Sequence, residues 1–398
     1  MVILCLLATR SWAAQEITSD MLPLVISQPG LYRATEPLNA TAADHAIIVE
    51  ANGVTIDLNG FTLTWRGGGD ANGFGVFQSP AFSGLTVMNG GFVNWQGDFI
   101  FAVNAGGGNN RLIDLRVEGG ASGLKLGDGG AVDQCIVYNL NGTEAIGIEV
   151  GAGGRISACR VASVFGTVAV GMKAGDGASI SRSGIRSVFG ATAARAIWAA
   201  RDVAVEHVTV SDVIGGTISD GIFTTAGGMI RYCAVGNVAH SFSNGMTQGI
   251  ALLAGSQVFR STVSSMSGPG TVVAGAGIYA SEGRVTECVV FNNVTDGIQL
   301  ENRSIIQRNL SARNSKANFA DGMTLSGQHS RIDNNHFVNN LVAVNFVFAT
   351  NNLLMRNSDY FSTLPFGAIS NHIPQALVAP GLDFNALANP YNFQTIRW

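Results

Sequence analysis

Three charged residues, Lys125, Glu149 and Lys173, recur at intervals of 24 residues, and two of them are among the only three lysines in the chain. Lysine ammonium groups can bind the carboxylates of acidic sugars. A lysine or glutamate can also move a proton in a β-elimination, if its surroundings tune its pKa. In the alternative interpretation, the charges neutralise one another on an exposed sheet.

Polar and aromatic residues occupy the same position in later repeats. Trp198, Phe223 and Tyr279 offer ring faces on which a sugar can stack, and Gln299 offers an amide. The same rings could equally pack beneath the two longest variable loops. His240, at the start of the longer loop, is a candidate acid or base or simply a solvated histidine.

A second candidate site is the aspartate that precedes Gly-Ile or Gly-Met, as in Asp220, Asp296 and Asp321. Asp296 and Asp321 fall on neighbouring repeats, where two carboxylates could act as the pair of a glycoside hydrolase. The alternative is turn chemistry, since Asp-Gly commonly leads into a strand. No zinc spacing, phosphate loop or calcium-type aspartate cluster is present, so we expect no metal or other cofactor.

The elements that must position these residues are repeats. The segment IGIEVGAGGRISACRVASVFGTV is nearly copied 24 residues later as VGMKAGDGASISRSGIRSVFGAT, and a fixed period of this length predicts a solenoid. A pattern φ-x-x-X-x-φ, in which φ is apolar, begins at twelve places: Val87, Leu112, Val132, Ile156, Ile180, Val205, Ile230, Val258, Val285, Ile306, Ile332 and Leu354. The opposite parity of its two φ positions predicts a bend near X.

A second segment, Gly-Ile-x-φ or a close variant, precedes each pattern by about eight residues. Its isoleucine should point into the core and its x residue outward, so that successive x residues stack about 4.8 Å apart. The glycines before isoleucine are predicted to form a low floor beside that column. Each coil therefore has three short strands, two tight turns and one variable loop.

Composition excludes several classes of function. The 398 residues are 46% hydrophobic and only 13% charged, with a net charge of −4 and no basic run, which disfavours nucleic acid and anionic membranes as partners. No apolar run is long enough to span a bilayer. Residues 1–13 resemble an export signal in their apolar run and small residues.

Four cysteines remain after that signal, and all of them fall at X, where a small buried side chain fits. Only Cys135 and Cys159 lie on neighbouring coils, so one disulfide is the alternative to four thiols.

Three stretches carry a resemblance to a known group: Leu22-Pro23 with Ile26 to Gly30, then Val54 to Leu63, and the ending Asn389 to Phe393. They resemble exported bacterial right-handed parallel β-helix proteins of the pectate-lyase-like superfamily, an architecture with many activities. The segment VTDGI at 294–298 is similar to the NTDGI segment of polygalacturonase-type hydrolases. The Asp-Asp, Gly-His-Gly and Arg-Ile-Lys motifs of those enzymes do not follow it.

We therefore predict an all-β chain folded as a single-stranded right-handed parallel β-helix of 12–13 coils of about 24 residues. Residues 1–13 would be the signal, 14–84 the N-terminal capping strands and first coils, 85–362 the helix, and 363–398 a C-terminal capping tail. The predicted function is a secreted, periplasmic or surface-bound lyase or hydrolase of an extended, uronic-acid-containing polysaccharide. The alternatives are a non-catalytic envelope or adhesion solenoid and a polysaccharide epimerase.

Overall fold

The computed structural model describes residues 13–41, 45–67, 73–95, 100–242, 245–268, 274–314, 321–347, 349 and 351–366. The predicted signal, apart from residue 13, and the tail beyond residue 366 lie outside them. The described residues form one sheet of 39 strands, paired in parallel. A single 3-10 turn, Ser19–Met21, stands near the start. The chain is thus an all-β parallel solenoid, as predicted.

The strands of the first half are β1 Gln15–Ile17, β2 Leu24–Ile26, β3 Gly30–Ala34, β4 Leu38–Ala40, β5 Ile47–Val49, β6 Val54–Asp57, β7 Thr62–Trp65, β8 Val76–Gln78, β9 Thr86–Trp95, β10 Phe101–Ala105, β11 Arg111–Gly120, β12 Ser122–Leu126, β13 Ala131–Asp133, β14 Ile136–Val150, β15 Arg155–Ser157, β16 Arg160–Ala174, β17 Ser179–Ser181, β18 Gly184–Arg201, β19 Ala204–Glu206 and β20 Thr209–Gly215.

The strands of the second half are β21 Ile218–Ala226, β22 Met229–Arg231, β23 Ala234–His240, β24 Met246–Leu252, β25 Gln257–Phe259, β26 Thr262–Ser267, β27 Ala274–Ala280, β28 Arg284–Thr286, β29 Val289–Phe291, β30 Asp296–Leu300, β31 Ile305–Gln307, β32 Leu310–Ala312, β33 Met323–Leu325, β34 Arg331–Asp333, β35 His336–Val338, β36 Val342–Phe346, β37 Leu353–Met355, β38 Ser358–Tyr360 and β39 Leu364–Phe366.

The twelve predicted coil positions are confirmed in register. Val87 pairs with Leu112, Leu112 with Val132, and so on without a slip to Leu354. The column also continues upstream, because Val87 pairs with Ile56 and Ile56 with Tyr32. All of these side chains except that of Leu354 are buried, so each coil adds its apolar residue to one continuous core.

The bend lies near X, as predicted, and the structure places it at the residue immediately before X. The left-handed conformation belongs to the residue before X, for example Gln134 with φ 58° before Cys135, and Asn334 with φ 55° before Asn335. The residue at X then turns inward and is buried. This order leaves X free to make contacts from coil to coil instead of satisfying the bend.

Those contacts depend on the residue type at X. In the last coils the asparagines form a ladder, in which Asn309 Nδ2 donates to Asn335 Oδ1 and Asn335 Nδ2 donates to Asn357 Oδ1, both at 3.0 Å. In earlier coils Cys135, Cys159 and their counterparts are buried and all four cysteines are free thiols. Stacked side chains at X thus fill the interior next to the bend of each coil without a disulfide.

The predicted glycine floor is wrong. A Cβ on Gly147 would lie 2.5 Å from Cγ1 of the core residue Val161, and one on Gly249 would lie 2.3 Å from Cγ1 of Val263. These glycines therefore face the core, not the outer surface. The residues three positions before x form a second column beside it, and a core-facing glycine and isoleucine separate the two columns. Most residues of this second column, such as Asp220 and Asp321, are buried.

Candidate functional site

The outward column predicted from the Gly-Ile-x-φ segments is present in the structure. Strands β12, β14, β16, β18 and β21 place Lys125, Glu149, Lys173, Trp198 and Phe223 opposite one another, one per coil. We call these five residues the lysine strip. The column then continues through Ala251, Tyr279, Gln299, Thr324 and Asn345.

Both lysines of the strip contact the same carboxylate. Lys173 Nζ lies 3.1 Å from Glu149 Oε1, and Lys125 Nζ lies 3.6 Å from Glu149 Oε2. The lysine side chains are more than one third exposed, whereas that of Glu149 is only 16% exposed. The trio therefore presents two ammonium groups to solvent above a single partly covered carboxylate, with an excess of one positive charge.

The strip continues from these cations into aromatic rings. Lys125 Nζ lies 5.4 Å from the ring centroid of Phe101, and Lys173 Nζ lies 5.4 Å from that of Trp198. Such cation–π contacts hold each ammonium group at a ring face. Charged and aromatic recognition groups are thus adjacent along one line, although Trp198 and Phe223 are themselves partly buried.

Arg195 is a site residue that sequence analysis missed. Its guanidinium lies 4.9 Å from the Trp198 centroid and 4.6 Å from the Phe223 centroid, while Nε donates to Asp220 Oδ2 at 2.9 Å. The available signal was spacing, because Arg195 and Asp220 each stand three residues before x on neighbouring coils. Their side chains belong to the second column, and that of Arg195 contacts the rings of the first column across the inward glycine.

Asp220 is buried, and burial raises the pKa of its carboxyl group despite the opposing effect of Arg195. Its Oδ1 atom is buried without a hydrogen-bond partner among the described residues. The predicted Asp-Gly turn residue is therefore one half of an ion pair behind the aromatic rings. Its distance from Asp296 along the second column is three coils.

The other two predicted aspartates lie together farther along the same columns. Asp321 N donates to Asp296 Oδ1 at 3.0 Å, which fixes the two residues on neighbouring coils. Burial, together with the charge of Asp321, raises the pKa of Asp296 to about 6, against opposing hydrogen bonds from Thr324 and the Asp321 backbone. Burial also raises the pKa of Asp321, whose Oδ2 accepts hydrogen bonds from Asn345 and Thr324.

Tyr279 lies in the outward column one coil before Asp296, and Gln299 lies in that column on the same strand as Asp296. Burial and a hydrogen bond to Glu301 raise the pKa of the Tyr279 phenol, so it stays protonated at neutral pH. Tyr279 and Gln299 are both partly exposed. The columns therefore carry cations at one end and protonatable carboxyl groups at the other.

His240 lies apart from both columns. It ends strand β23 and is buried, and its Nδ1 lies 2.7 Å from Thr247 Oγ1. Burial lowers the pKa of the imidazole. A Cβ on Gly268 would lie 2.1 Å from its Cε1 atom, so the ring fills the space beside that glycine instead of reaching the aromatic rings.

The described residues hold no group of three His, Cys, Asp or Glu side chains placed to bind a metal ion. In the same part of the chain, no helix has the length and apolar character needed to cross a membrane.

Comparisons with known proteins identify the fold. No protein-family model matches the chain, and no curated protein sequence matches it significantly. The structure is similar to Vag8 in the cryo-EM structure of the Vag8–C1 inhibitor complex, with a TM-score of 0.51 and 13% identity over 91% of this chain and 98% of that one. This likeness shows a right-handed parallel β-helix.

Two further structures are more distant. A double mutant of the periplasmic alginate epimerase AlgG gives a TM-score of 0.42 at 12% identity, covering 73% of this chain and 77% of that one. The A-module of mannuronan C-5 epimerase AlgE4 from Azotobacter vinelandii gives 0.42 at 10% identity, covering 83% and 91%.

Proposed function

We propose that the chain is an exported carbohydrate-active β-helix protein that binds an extended, uronic-acid-containing polysaccharide along the lysine strip. The observation that carries this proposal is the register of the strip, which lines up Lys125, Glu149, Lys173, Trp198 and Phe223 on five successive coils. The ammonium groups would pair with uronate carboxylates, and the rings would stack on pyranose faces.

The same polymer, followed along the columns, would reach Asp296 and Asp321. Asp296, with a pKa raised to about 6, can hold a proton on Oδ2 and deliver it to a glycosidic oxygen. Asp321, oriented by Asn345, would act as base on a water that attacks the anomeric carbon, or as nucleophile on that carbon with water completing the reaction, while the glycosidic bond breaks and the leaving sugar hydroxyl takes the proton of Asp296. In this arrangement the lysine strip binds the polymer and the aspartate pair hydrolyses it.

The test is incubation of the mature protein with polygalacturonate, alginate and a neutral glucan. Hydrolysis predicts new reducing ends without ultraviolet absorbance, elimination predicts an unsaturated product, and epimerisation predicts neither but changes the NMR spectrum of the polymer. Asp296→Asn should abolish hydrolysis while leaving polymer binding intact. Lys173→Ala should weaken binding, and if the reaction is an elimination it should abolish turnover.

A non-catalytic solenoid is the second candidate function. It is favoured by the pairing of charges within the site, since Glu149 lies between two lysines and Asp220 is bound by Arg195. This candidate predicts polymer binding without any new product. Absence of both binding and turnover across the panel would reject the carbohydrate proposal as a whole.

A further inference from the structure

A second outward surface follows the left-handed bend of each coil. From Arg182 to Arg356 the residue with positive φ stands immediately before the buried X residue, and its side chain faces the outside. Its occupants in these eight coils are Arg182, His207, Tyr232, Arg260, Glu287, Arg308, Asn334 and Arg356. Half of them are arginines, whereas left-handed bends otherwise favour Asn, Asp and Gly.

Single carboxylates in this surface are shared between pairs of arginines. Arg260 Nε lies 2.7 Å from Glu287 Oε2, and Arg308 lies 2.8 Å from Glu287 Oε1, so both carboxylate oxygens are occupied. The two arginine side chains remain 54% and 55% exposed. A guanidinium has five N–H donors, so each arginine keeps donors free for another anion.

The same arrangement is repeated two coils farther on. Arg331 and Arg356 both contact Asp333 Oδ2, at 3.0 Å and 2.6 Å. Arg356 is the main cause of the lowered pKa of Asp333, with Arg331 adding to it. The carboxylate is almost fully covered while both arginines are exposed, so the surface offered to solvent is cationic.

The positions one, two and four residues before X, of which the first is the bend, carry a clear excess of positive charge. Over these eight coils they contain seven arginines, at 182, 231, 260, 284, 308, 331 and 356, against the three carboxylates of Glu206, Glu287 and Asp333. We call these seven residues the arginine strip. The excess of four charges occurs in a chain whose net charge is −4.

Aromatic rings lie within this cationic surface. His207 and Tyr232 stack with centroids 5.0 Å apart, and Tyr232 meets Phe259 edge-on at 6.0 Å. The Arg260 guanidinium lies 4.7 Å from the Phe259 centroid. Tyr232 is 43% exposed, so part of its ring is open to solvent within the cationic surface.

We infer that the arginine strip is a second binding surface, for an acidic polysaccharide lying along the solenoid axis. A short turn follows each Gly-Ile-x-φ segment, such as Gly151–Gly154, and separates the arginine strip from the lysine strip. The inference goes beyond the proposed function, because it concerns different residues and requires no catalysis.

Charge density distinguishes this ligand from other polyanions. Eight coils at about 4.8 Å span about 34 Å, so four excess charges give about one per 8 Å. Duplex DNA carries one negative charge per about 1.7 Å, which this surface would neutralise poorly. A polymer with one carboxylate or sulfate on each sugar or each second sugar matches the spacing better, and its pyranose faces match the exposed tyrosine.

The test measures binding of polygalacturonate and heparin to the full-length protein at several salt concentrations. Arg260→Gln/Arg308→Gln should weaken binding about tenfold. The salt dependence of binding should also fall, because two fewer anionic groups of the polymer are neutralised and fewer counterions are released. Glu287→Gln should instead strengthen binding several-fold, because it frees both arginines. All of these variants are compared in the Lys125→Gln/Lys173→Gln background, which removes the cations of the lysine strip, so that the binding that remains reports on the arginine strip.

Glu287→Gln keeps the proposal falsifiable if the double arginine variant fails to fold. The proposal would be overturned if neither Arg260→Gln/Arg308→Gln nor Glu287→Gln changed the affinity for polysaccharide, or if only the lysine substitutions did so. Tighter binding of a 20-base-pair DNA duplex or of phosphatidylglycerol vesicles than of either polysaccharide would also overturn it. If the proposed function is wrong and this inference is right, the protein will give no turnover of any polymer but will still bind polysaccharide through the arginine strip.

Discussion

At the scale of single residues, the carboxyl groups of the molecule differ in what surrounds them. Glu149 lies between two lysines, and Glu287 lies between two arginines that lower its pKa, Arg260 first. Asp296 has no cation within ion-pair distance among the described residues, and burial dominates. Carboxylates of the same chemical type therefore serve as counter-ions in one place and as a candidate proton donor in another.

Asp296→Asn tests this difference through stability. The carboxyl group titrates near 3.8 in the unfolded chain and at about 6 in the fold, so between these values the folded state binds more protons. Stability should therefore fall as pH rises from about 4 to 6, and the loss should persist at pH 7. Asparagine keeps the Oδ1 acceptor without the charge, so the variant should be more stable at pH 7 by about 2–3 kcal/mol.

The measurement is urea unfolding of both proteins at pH 4, 5, 6 and 7. The difference between variant and wild type should grow with pH and level off above pH 6. A difference of the same size at every pH would contradict the raised pKa.

At the scale of elements, the two columns of the site are separate because each Gly-Ile-x-φ strand turns two successive residues, the glycine and the isoleucine, inward. The glycine of that pair has no room for a side chain, and Ala196 is the sole larger residue among its counterparts from Gly123 to Gly322. Side chains three residues apart, such as Arg195 and Trp198, meet as a result. Glycine thus shapes the site from inside the core.

Gly249→Ala should be strongly destabilising. Its Cβ would lie 2.3 Å from Val263 Cγ1 and 2.5 Å from the Gly277 carbonyl oxygen, in a core that cannot expand locally. We expect a loss of about 2–3 kcal/mol in the free energy of unfolding, as for overpacked cores. Gly236→Ala is the matched control, because its Cβ would meet Ser264 at an ordinary 3.6 Å, and it should cost less than about 1 kcal/mol. Equal effects in thermal or urea unfolding would contradict the inward orientation of Gly249.

The asparagine ladder makes a second prediction at this scale. Asn335 Oδ1 accepts from the backbone and side-chain nitrogens of Asn309, and its Nδ2 donates to Ile306 O and Asn357 Oδ1. Asn335→Ala leaves several buried groups unpaired and should destabilise the chain by about 2–4 kcal/mol.

Asn357→Ala, at the end of the ladder, removes one neighbour fewer and should cost less. Urea unfolding of the two variants decides the order. A larger loss for Asn357→Ala would argue against a ladder that strengthens toward its interior.

At the scale of the whole molecule, stability comes from stacking each coil on its neighbours along a single core. Cysteines at X contribute to this core as small buried side chains, and the four described ones are thiols. Binding surfaces then run along the molecule as lines of side chains, one per coil. The lysine strip and the arginine strip are two such lines with different charge.

Reduction should leave the whole molecule unaffected. Because Cys135 and Cys159 are free thiols, the thermal midpoint measured with and without a strong reductant should agree within error. Burial raises the pKa of the Cys233 thiol to about 11 and that of Cys288 to about 12, so a thiol reagent should label neither in the native state at pH 7. A fall in midpoint on reduction would indicate a bridge between Cys135 and Cys159.

Sequence periodicity alone determined the register of the core from Val87 to Leu354 and the membership of the lysine strip. It could do so because a solenoid converts a sequence interval into a fixed spatial neighbour: residues one repeat apart must stack. Val87 to Leu354 and Lys125 to Phe223 follow from that rule.

Only the tertiary structure decided which way the residues between these positions face. In the structure, Gly147 and its counterparts face inward, and the left-handed bend lies at the residue before X. His240 is buried, and Arg195 lies against the rings of Trp198 and Phe223. These features depend on how sharply the backbone bends within a coil. A repeat pattern specifies which residues stack from coil to coil, but the local bend sets the direction of each side chain.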